Sequence, residues 1–97
     1  MNVLLSIKPE FVEKIFNNEK LYEYRKTIFR QKINKVFIYS TMPVGKIVGE
    51  FSVAAILHDH PEHIWELTNE CSGITYDFFL QYFGEKEEAY AIQIGEL

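Results

Sequence analysis

Residues 18–26 hold the densest group of side chains that could do chemistry: three Lys or Arg, two Glu and two Tyr. If residues 21–26 form a strand, alternate side chains share a face, so Glu23 and Arg25 lie close enough to bind each other or one ligand. Lys20 directly precedes this strand, and its side chain can reach the same ligand as Glu23 and Arg25. An edge strand also carries charged residues simply to stay soluble and unpaired. The pattern therefore leaves a functional cluster and a solvated edge equally open.

The segments that must position this stretch are a strand and a helix before it. The strand covers residues 3–7 and the helix residues 9–16, with Pro9 in the first turn, where its missing N–H costs nothing. Asn17 and Asn18 end the helix, since Asn tolerates the left-handed conformation of a C-terminal cap. Further strands are predicted at 35–41, 46–58 and 89–94, and further helices at 61–70 and 76–83. Gly49, inside the fourth strand, indicates a bulge or a close backbone approach.

The chain is 97 residues long, which suits one domain covering residues 1–97. Five short strands with few helices predict an α+β fold: a small curled sheet or open β-barrel with two to three helices. No apolar run approaches the length of a membrane span, and the first residues do not resemble a signal peptide. The single cysteine, Cys71, excludes an internal disulfide and fits a reducing, cytoplasmic location.

The charge is distributed unevenly along the chain. The net charge of −4 argues against a protein that binds duplex nucleic acid through overall electrostatic attraction. Residues 1–46 nevertheless hold nine Lys or Arg and four Glu, whereas residues 47–97 hold one Lys and ten acidic residues. If the basic half gathers on one surface, an anion can bind there. The alternative is that the fold interleaves the two halves and cancels the asymmetry.

Two further signals indicate structure rather than chemistry. His58, His60 and His63 have a spacing at which imidazoles bind metals, but no Cys or fourth ligand lies at a matching distance along the chain, so we expect no metal site. Cys71 has no basic neighbour to lower its pKa and is interpreted as a structural thiol. No cofactor is expected, and the sequence does not indicate an oligomeric state.

Several blocks in this order resemble the ASCH domains of the PUA-like superfamily. The blocks are residues 5–9, residues 19–26, residues 38–41 and residues 47–49, and together they span essentially the whole chain. The family signature is G-x-K-x-x-x-x-R, often with Glu two places before the Arg. Lys20, Glu23 and Arg25 occupy these positions, while Asn18 replaces the signature glycine.

The resemblance implies a β-barrel with a cleft at its open end, lined by the signature strand. It implies binding of RNA or a modified nucleoside or nucleotide, with regulation of transcription or translation as the associated role. Lys8, Lys20 and Arg25 would contact a phosphate or base. Tyr22, Tyr24 or Tyr39 would stack on a base, with core packing as the alternative for Tyr22 and Tyr24. The ligand-binding residues predicted in this cleft are Ser6, Lys8, Lys20, Glu23, Arg25, Tyr39, Ser40 and Thr41.

Two other functions stay open. Some members look like enzymes, an amidohydrolase acting on acetylated cytidine and a ribonuclease, for which Glu23 would be the base and Lys20 the oxyanion partner. Arg25 beside Glu23 is expected to lower the pKa of that base. Where the amidohydrolase branch has Thr this chain has Glu23, and where it has a catalytic Glu this chain has Ser72, with Glu70 nearby. The second alternative is a protein-interaction domain that exposes Phe79 and Phe83 on its third helix.

Overall fold

The computed structural model describes residues 1–97 and contains five strands and three α-helices. The elements are β1 (Asn2–Ile7), α1 (Pro9–Phe16), β2 (Tyr22–Arg25), β3 (Lys35–Ser40), β4 (Lys46–Asp59), α2 (Pro61–Thr68), α3 (Tyr76–Phe83) and β5 (Ala89–Ile94). A short 3-10 helix, Asn69–Cys71, follows α2. Every predicted element is present, and its ends differ from the predicted ones by at most two residues.

The five strands form one curled sheet in the order β1-β3-β4-β5-β2. β1 pairs with β3 in parallel, and the other three pairings are antiparallel. The sheet curls until its two edge strands approach each other, and Arg25 Nη2 of β2 donates a hydrogen bond to the Ser6 carbonyl of β1 at 2.9 Å. These features confirm the predicted α+β class with a small open barrel.

The predicted irregularity at Gly49 is confirmed. The register between β3 and β4 shifts at this point, because Ile38 pairs with Gly49 and Tyr39 pairs with Ile47, which leaves Val48 as the extra residue of a bulge. A Cβ atom at position 49 would lie 2.6 Å from the ring of Phe16. A side chain at position 49 would therefore push the ring of Phe16, the last residue of α1, away from β4.

Two hydrophobic cores hold the elements together. One fills the barrel and includes Ile7, Val12, Ile38, Phe51 and Ile92 among others. The second joins α2 and α3 to β2 and β5, and its members are Tyr24, Ile64, Phe79, Phe83, Ala89 and Ala91.

The second core overturns the protein-interaction alternative in the form predicted from the sequence. Phe79 and Phe83 are 1% and 3% exposed, so they are not available to a partner. They are buried because the apolar stripe of α3 packs against β2 and β5 instead of facing solvent.

Candidate functional site

A cavity of about 200 Å³ opens beside the two edge strands, where the sequence placed the cleft. It is bounded by the end of β1, the start of α1, β2 and α3. Its polar lining consists of Ser6, Lys8, Lys20, Glu23 and Arg25. Five of the eight predicted ligand-binding residues therefore lie around one space.

Lys20 forms the floor of the cavity and is only 2% exposed. Its Nζ donates a hydrogen bond to the Ser72 carbonyl at 2.8 Å and lies over the rings of Tyr24 and Phe11, 4.9 and 5.4 Å from their centroids. Burial lowers the pKa of this amine to about 8, although the charge of Glu23 acts in the opposite direction. An amine in this environment gives up its proton far more readily than a surface lysine.

The backbone around Lys20 explains how a lysine comes to be buried there. Asn18 adopts a φ of 61°, so the left-handed turn predicted for this replacement of the signature glycine is confirmed. Opposite this turn, Gly73 has a φ of 70°, and a Cβ atom there would lie 2.5 Å from the Lys20 Cβ. Lys14 Nζ donates to the Gly73 carbonyl at 3.1 Å and so fixes the same loop. A residue more than fifty positions away thus makes the space that Lys20 occupies.

Glu23 and Arg25 form an ion pair at the side of the cavity. Glu23 Oε2 accepts from Arg25 Nη2 at 2.8 Å, and the Glu23 side chain is 10% exposed. Arg25 lowers the pKa of Glu23 as predicted, but the net shift is upward, because burial raises the pKa and outweighs the charges of Lys20 and Arg25. Arg25 Nε is buried and has no hydrogen-bond partner in the protein, which leaves a donor free beside the cavity.

The solvated-edge interpretation is not supported for these residues. β2 is indeed an edge strand, but Lys20 and Glu23 are buried. The cluster therefore exists as a set of desolvated, interacting charges.

The other predicted residues lie outside the cavity. Tyr39 and Ser40 lie at the end of β3 and Thr41 in the turn that follows, and none of them lines the cavity. Ser40 is buried opposite Ile7 of β1, and the backbone N–H of Thr41 donates to the Ile7 carbonyl at 3.0 Å. These residues support the β1 backbone behind the cavity.

Sequence reasoning did not place the aromatic wall of the cavity. Phe11 of α1 and Phe78 and Tyr82 of α3 line it, together with Tyr24. The rings of Phe11 and Phe78 meet edge to face at a centroid distance of 5.3 Å. Phe78 and Tyr82 are four residues apart and lie beside the buried pair of α3, with the Tyr82 ring 4.9 Å from that of Phe83. That spacing within one helix was the signal that could have revealed a second aromatic face.

The region matched to the amidohydrolase branch supplies no second carboxylate to the cavity. The Ser72 hydroxyl donates to the Ile74 carbonyl at 3.0 Å, and Glu70 lines a different groove, next to Tyr22 and Cys71. Glu23 is the only carboxylate in the lining.

Comparison with solved structures shows which fold this is. A crystal structure of the ASCH protein from Zymomonas mobilis superimposes with a TM-score of 0.89 at 24% sequence identity, and the match covers 96% of this chain and 66% of that one. A point mutant of the same protein gives a TM-score of 0.89 at 23% identity, covering 96% and 68%. At these identities the likeness shows the fold.

Comparison of sequences finds relatives of several kinds, although no family model matches the chain. An ASCH domain-containing ribonuclease from Zymomonas mobilis is 26% identical, over 96% of this chain and 64% of its own length. The ATP synthase subunit alpha of Ureaplasma parvum is 31% identical and a large ribosomal subunit protein of the same species 28%. Both matches cover 93% of this chain, but only 11% and 29% of those proteins.

This chain thus spans less than two thirds of the length of each of these relatives. Together with the structural match, they confirm the resemblance to ASCH domains predicted from the sequence, and the chain has the ASCH fold. No helix of the structure combines the length and apolar character that crossing a membrane requires.

Proposed function

We propose that this ASCH fold binds single-stranded RNA and that its cavity receives one unstacked nucleotide. The observation that carries the proposal is that one cavity joins buried cationic donors, an acceptor and aromatic rings. These are the groups with which proteins stack a splayed-out base and read its edge. Among the relatives, one is named a ribonuclease and another a ribosomal protein, and both names concern RNA.

The size and polarity of the cavity support a single base. Its volume of about 200 Å³ lies below the roughly 300–1,000 Å³ of sites for drug-sized ligands. Arg25 Nε and the remaining protons of Lys20 are donors, whereas Glu23 accepts. A base edge that carries an acceptor beside a donor would satisfy both the nitrogen donors and the Glu23 acceptor. Regulation of transcription or translation, the role implied by the resemblance, would act through this same RNA contact.

The test is fluorescence anisotropy with a 5′-labelled single-stranded hexaribonucleotide. We expect Lys20→Met and Tyr82→Ala to weaken binding at least about fivefold, because a charged hydrogen bond and a base stack each contribute more than about 1 kcal/mol. Lys46→Met, at the exposed start of β4, is the matched control and should bind as the unmodified protein does. Equal affinities for all four proteins, each folded by circular dichroism, would exclude the cavity as the RNA site.

A second candidate function is cleavage of the bound RNA, favoured by the opposite pKa shifts of Glu23 and Lys20. A raised carboxyl pKa and an amine pKa of about 8 bring a base and an acid toward neutral pH. Glu23 would take the proton of the ribose 2′-hydroxyl, whose oxygen then forms a bond to phosphorus. The bond from phosphorus to the 5′-oxygen breaks, and that oxygen leaves with a proton from Lys20.

Cleavage is tested by product analysis with the same hexaribonucleotide. We expect a product ending in a 2′,3′-cyclic phosphate, and no product with Glu23→Gln. A 2′-O-methyl version of the oligonucleotide should bind but stay intact, since it lacks the nucleophile. Binding without any product would leave the protein a reader of RNA. Hydrolysis of acetylated cytidine has less support, because Ser72 and Glu70 place no second carboxylate in the cavity.

A further inference from the structure

Two lysines stand at the rim of the cavity on opposite edges of the sheet. Lys8 follows β1 and precedes the first residue of α1, whereas Lys26 follows the last residue of β2. Both are exposed. Because the two edge strands bound the same cavity, these lysines reach it from opposite sides.

Each of the two ammonium groups lies over an aromatic ring of α3. Lys8 Nζ lies 5.4 Å from the centroid of Phe78, and Lys26 Nζ lies 4.8 Å from that of Tyr82. Both rings also line the cavity. They are four residues apart, so they are separated by about 6 Å along the helix axis. This separation is comparable to that of neighbouring phosphates in an extended nucleotide strand.

The charges of both lysines are free to meet an anion. Neither Lys8 nor Lys26 forms an ion pair, in contrast to Lys35, whose Nζ lies 3.4 Å from Glu50 Oε1. A ring below the ammonium group holds the side chain in place without neutralising it. The cations inside the cavity are instead engaged, since Arg25 pairs with Glu23 and Lys20 binds the Ser72 carbonyl.

We propose that Lys8 and Lys26 bind two successive phosphates of an RNA strand, one on each side of the base in the cavity. The ligand of this site is then an internal nucleotide of a strand rather than a free nucleoside. This inference rests on the proposed RNA-binding function and adds its substrate class. Phosphate contacts of this kind position the strand, while the cavity beneath reads the base.

The test is the salt dependence of binding between about 50 and 200 mM salt, measured by anisotropy with the labelled hexaribonucleotide. Each phosphate contact on a single strand contributes about 0.7 to the slope of log K against log salt concentration. We expect Lys8→Gln and Lys26→Gln each to reduce the slope by about 0.7, and the double variant by about 1.4. Lys46→Gln is the matched control and should keep the full slope.

A second ligand separates this inference from the proposed function. The affinity for cytidine or guanosine, measured by calorimetry, should be unchanged in Lys26→Gln, since a nucleoside has no phosphate and Lys26 is not part of the cavity lining. An unchanged slope in the double variant, with RNA binding still lost in Lys20→Met, would overturn the phosphate clamp and leave the proposed function standing. Absence of RNA binding by the unmodified protein would overturn both.

Discussion

Two groups of residues bring a carboxylate next to a side-chain nitrogen, one in the cavity and one at the start of α2. Glu23 Oε2 lies 2.8 Å from Arg25 Nη2, and Asp59 Oδ2 lies 2.6 Å from His63 Nδ1. Similar distances give opposite results: the pKa of Glu23 is raised by burial, whereas the pKa of Asp59 is lowered, first by the backbone N–H of His60 and then by His63. Desolvation therefore outweighs pairing at Glu23, whereas hydrogen bonds outweigh desolvation at Asp59.

The histidine group has a structural role that its exposure explains. His60 Nδ1 accepts from the backbone N–H of Glu62 and so caps α2, while His58 stacks on Tyr90 at a ring distance of 4.3 Å. The side chains of His58 and His63 are about half exposed. These contacts end β4 and begin α2, so the group acts on the backbone at this junction.

The largest expected effect comes from the glycine that makes room for Lys20. Gly73→Ala should lower the free energy of unfolding by about 3 kcal/mol, because left-handed strain adds to overpacking against Lys20. Gly84 has no atom within 4 Å of a Cβ, but its φ of 58° and ψ of −125° disfavour any side chain, so Gly84→Ala should cost about 2 kcal/mol through backbone strain alone. Urea unfolding of both variants measures the difference. Equal losses of unfolding free energy in the two variants would show that only the backbone conformation of Gly73 matters, and not its close approach to Lys20.

The buried amine should make stability depend on pH. Lys20 titrates near 8 in the folded protein and near 10.5 in the unfolded chain, which therefore binds more protons between these values. The free energy of unfolding should rise by about 1.5 kcal/mol from pH 8 to 9.5, below the range where the tyrosines titrate. Lys20→Met should flatten this rise in urea unfolding series. If the rise persists in that variant, another group causes it.

A smaller effect is expected from a buried tyrosine hydroxyl. The Tyr24 hydroxyl lies 2.7 Å from Thr68 Oγ1 in the interior, so Tyr24→Phe should cost about 1 kcal/mol while keeping the ring over which Lys20 lies. The hydroxyl of Tyr76 donates to Glu62 at 3.0 Å on the surface, and Tyr76→Phe is the matched control. Thermal unfolding should distinguish the two variants. A larger loss for Tyr76→Phe would contradict the assigned role of burial.

Local patterns were sufficient to predict the strands, the helices and the α+β class, but not the strand order or the parallel pairing of β1 with β3. Pro9 begins α1, and Thr75 and Gly84 flank α3, with the Thr75 hydroxyl accepting from the Phe78 N–H as a cap. Gly49 marked the bulge in β4. Each of these signals acts through the backbone of its own segment, so it can be read without knowing what packs against it.

The candidate site was only partly predictable. Lys20, Glu23 and Arg25 were found together because they lie on one short segment. Their burial was not predicted, since it depends on Gly73 and on the aromatic face of α3, which are distant in sequence. The net direction of the Glu23 pKa shift was missed for the same reason: the sequence shows the neighbouring charge of Arg25 but not the desolvation that outweighs it.

The smallest effect is expected from the exposed carboxylate. Its lowered pKa means that Asp59 contributes stability above its unfolded value of 3.8 and loses it as the pH falls through the folded value. Because Asp59 and His63 are solvated, Asp59→Asn should leave the thermal midpoint at pH 7 unchanged within error. Midpoints measured from pH 7 down to 3 test this, with Glu88→Gln, the neighbour of His58, as a second exposed variant. A loss at pH 7 as large as that of Gly73→Ala would mean that exposed charge pairs matter to this fold as much as its buried cluster does.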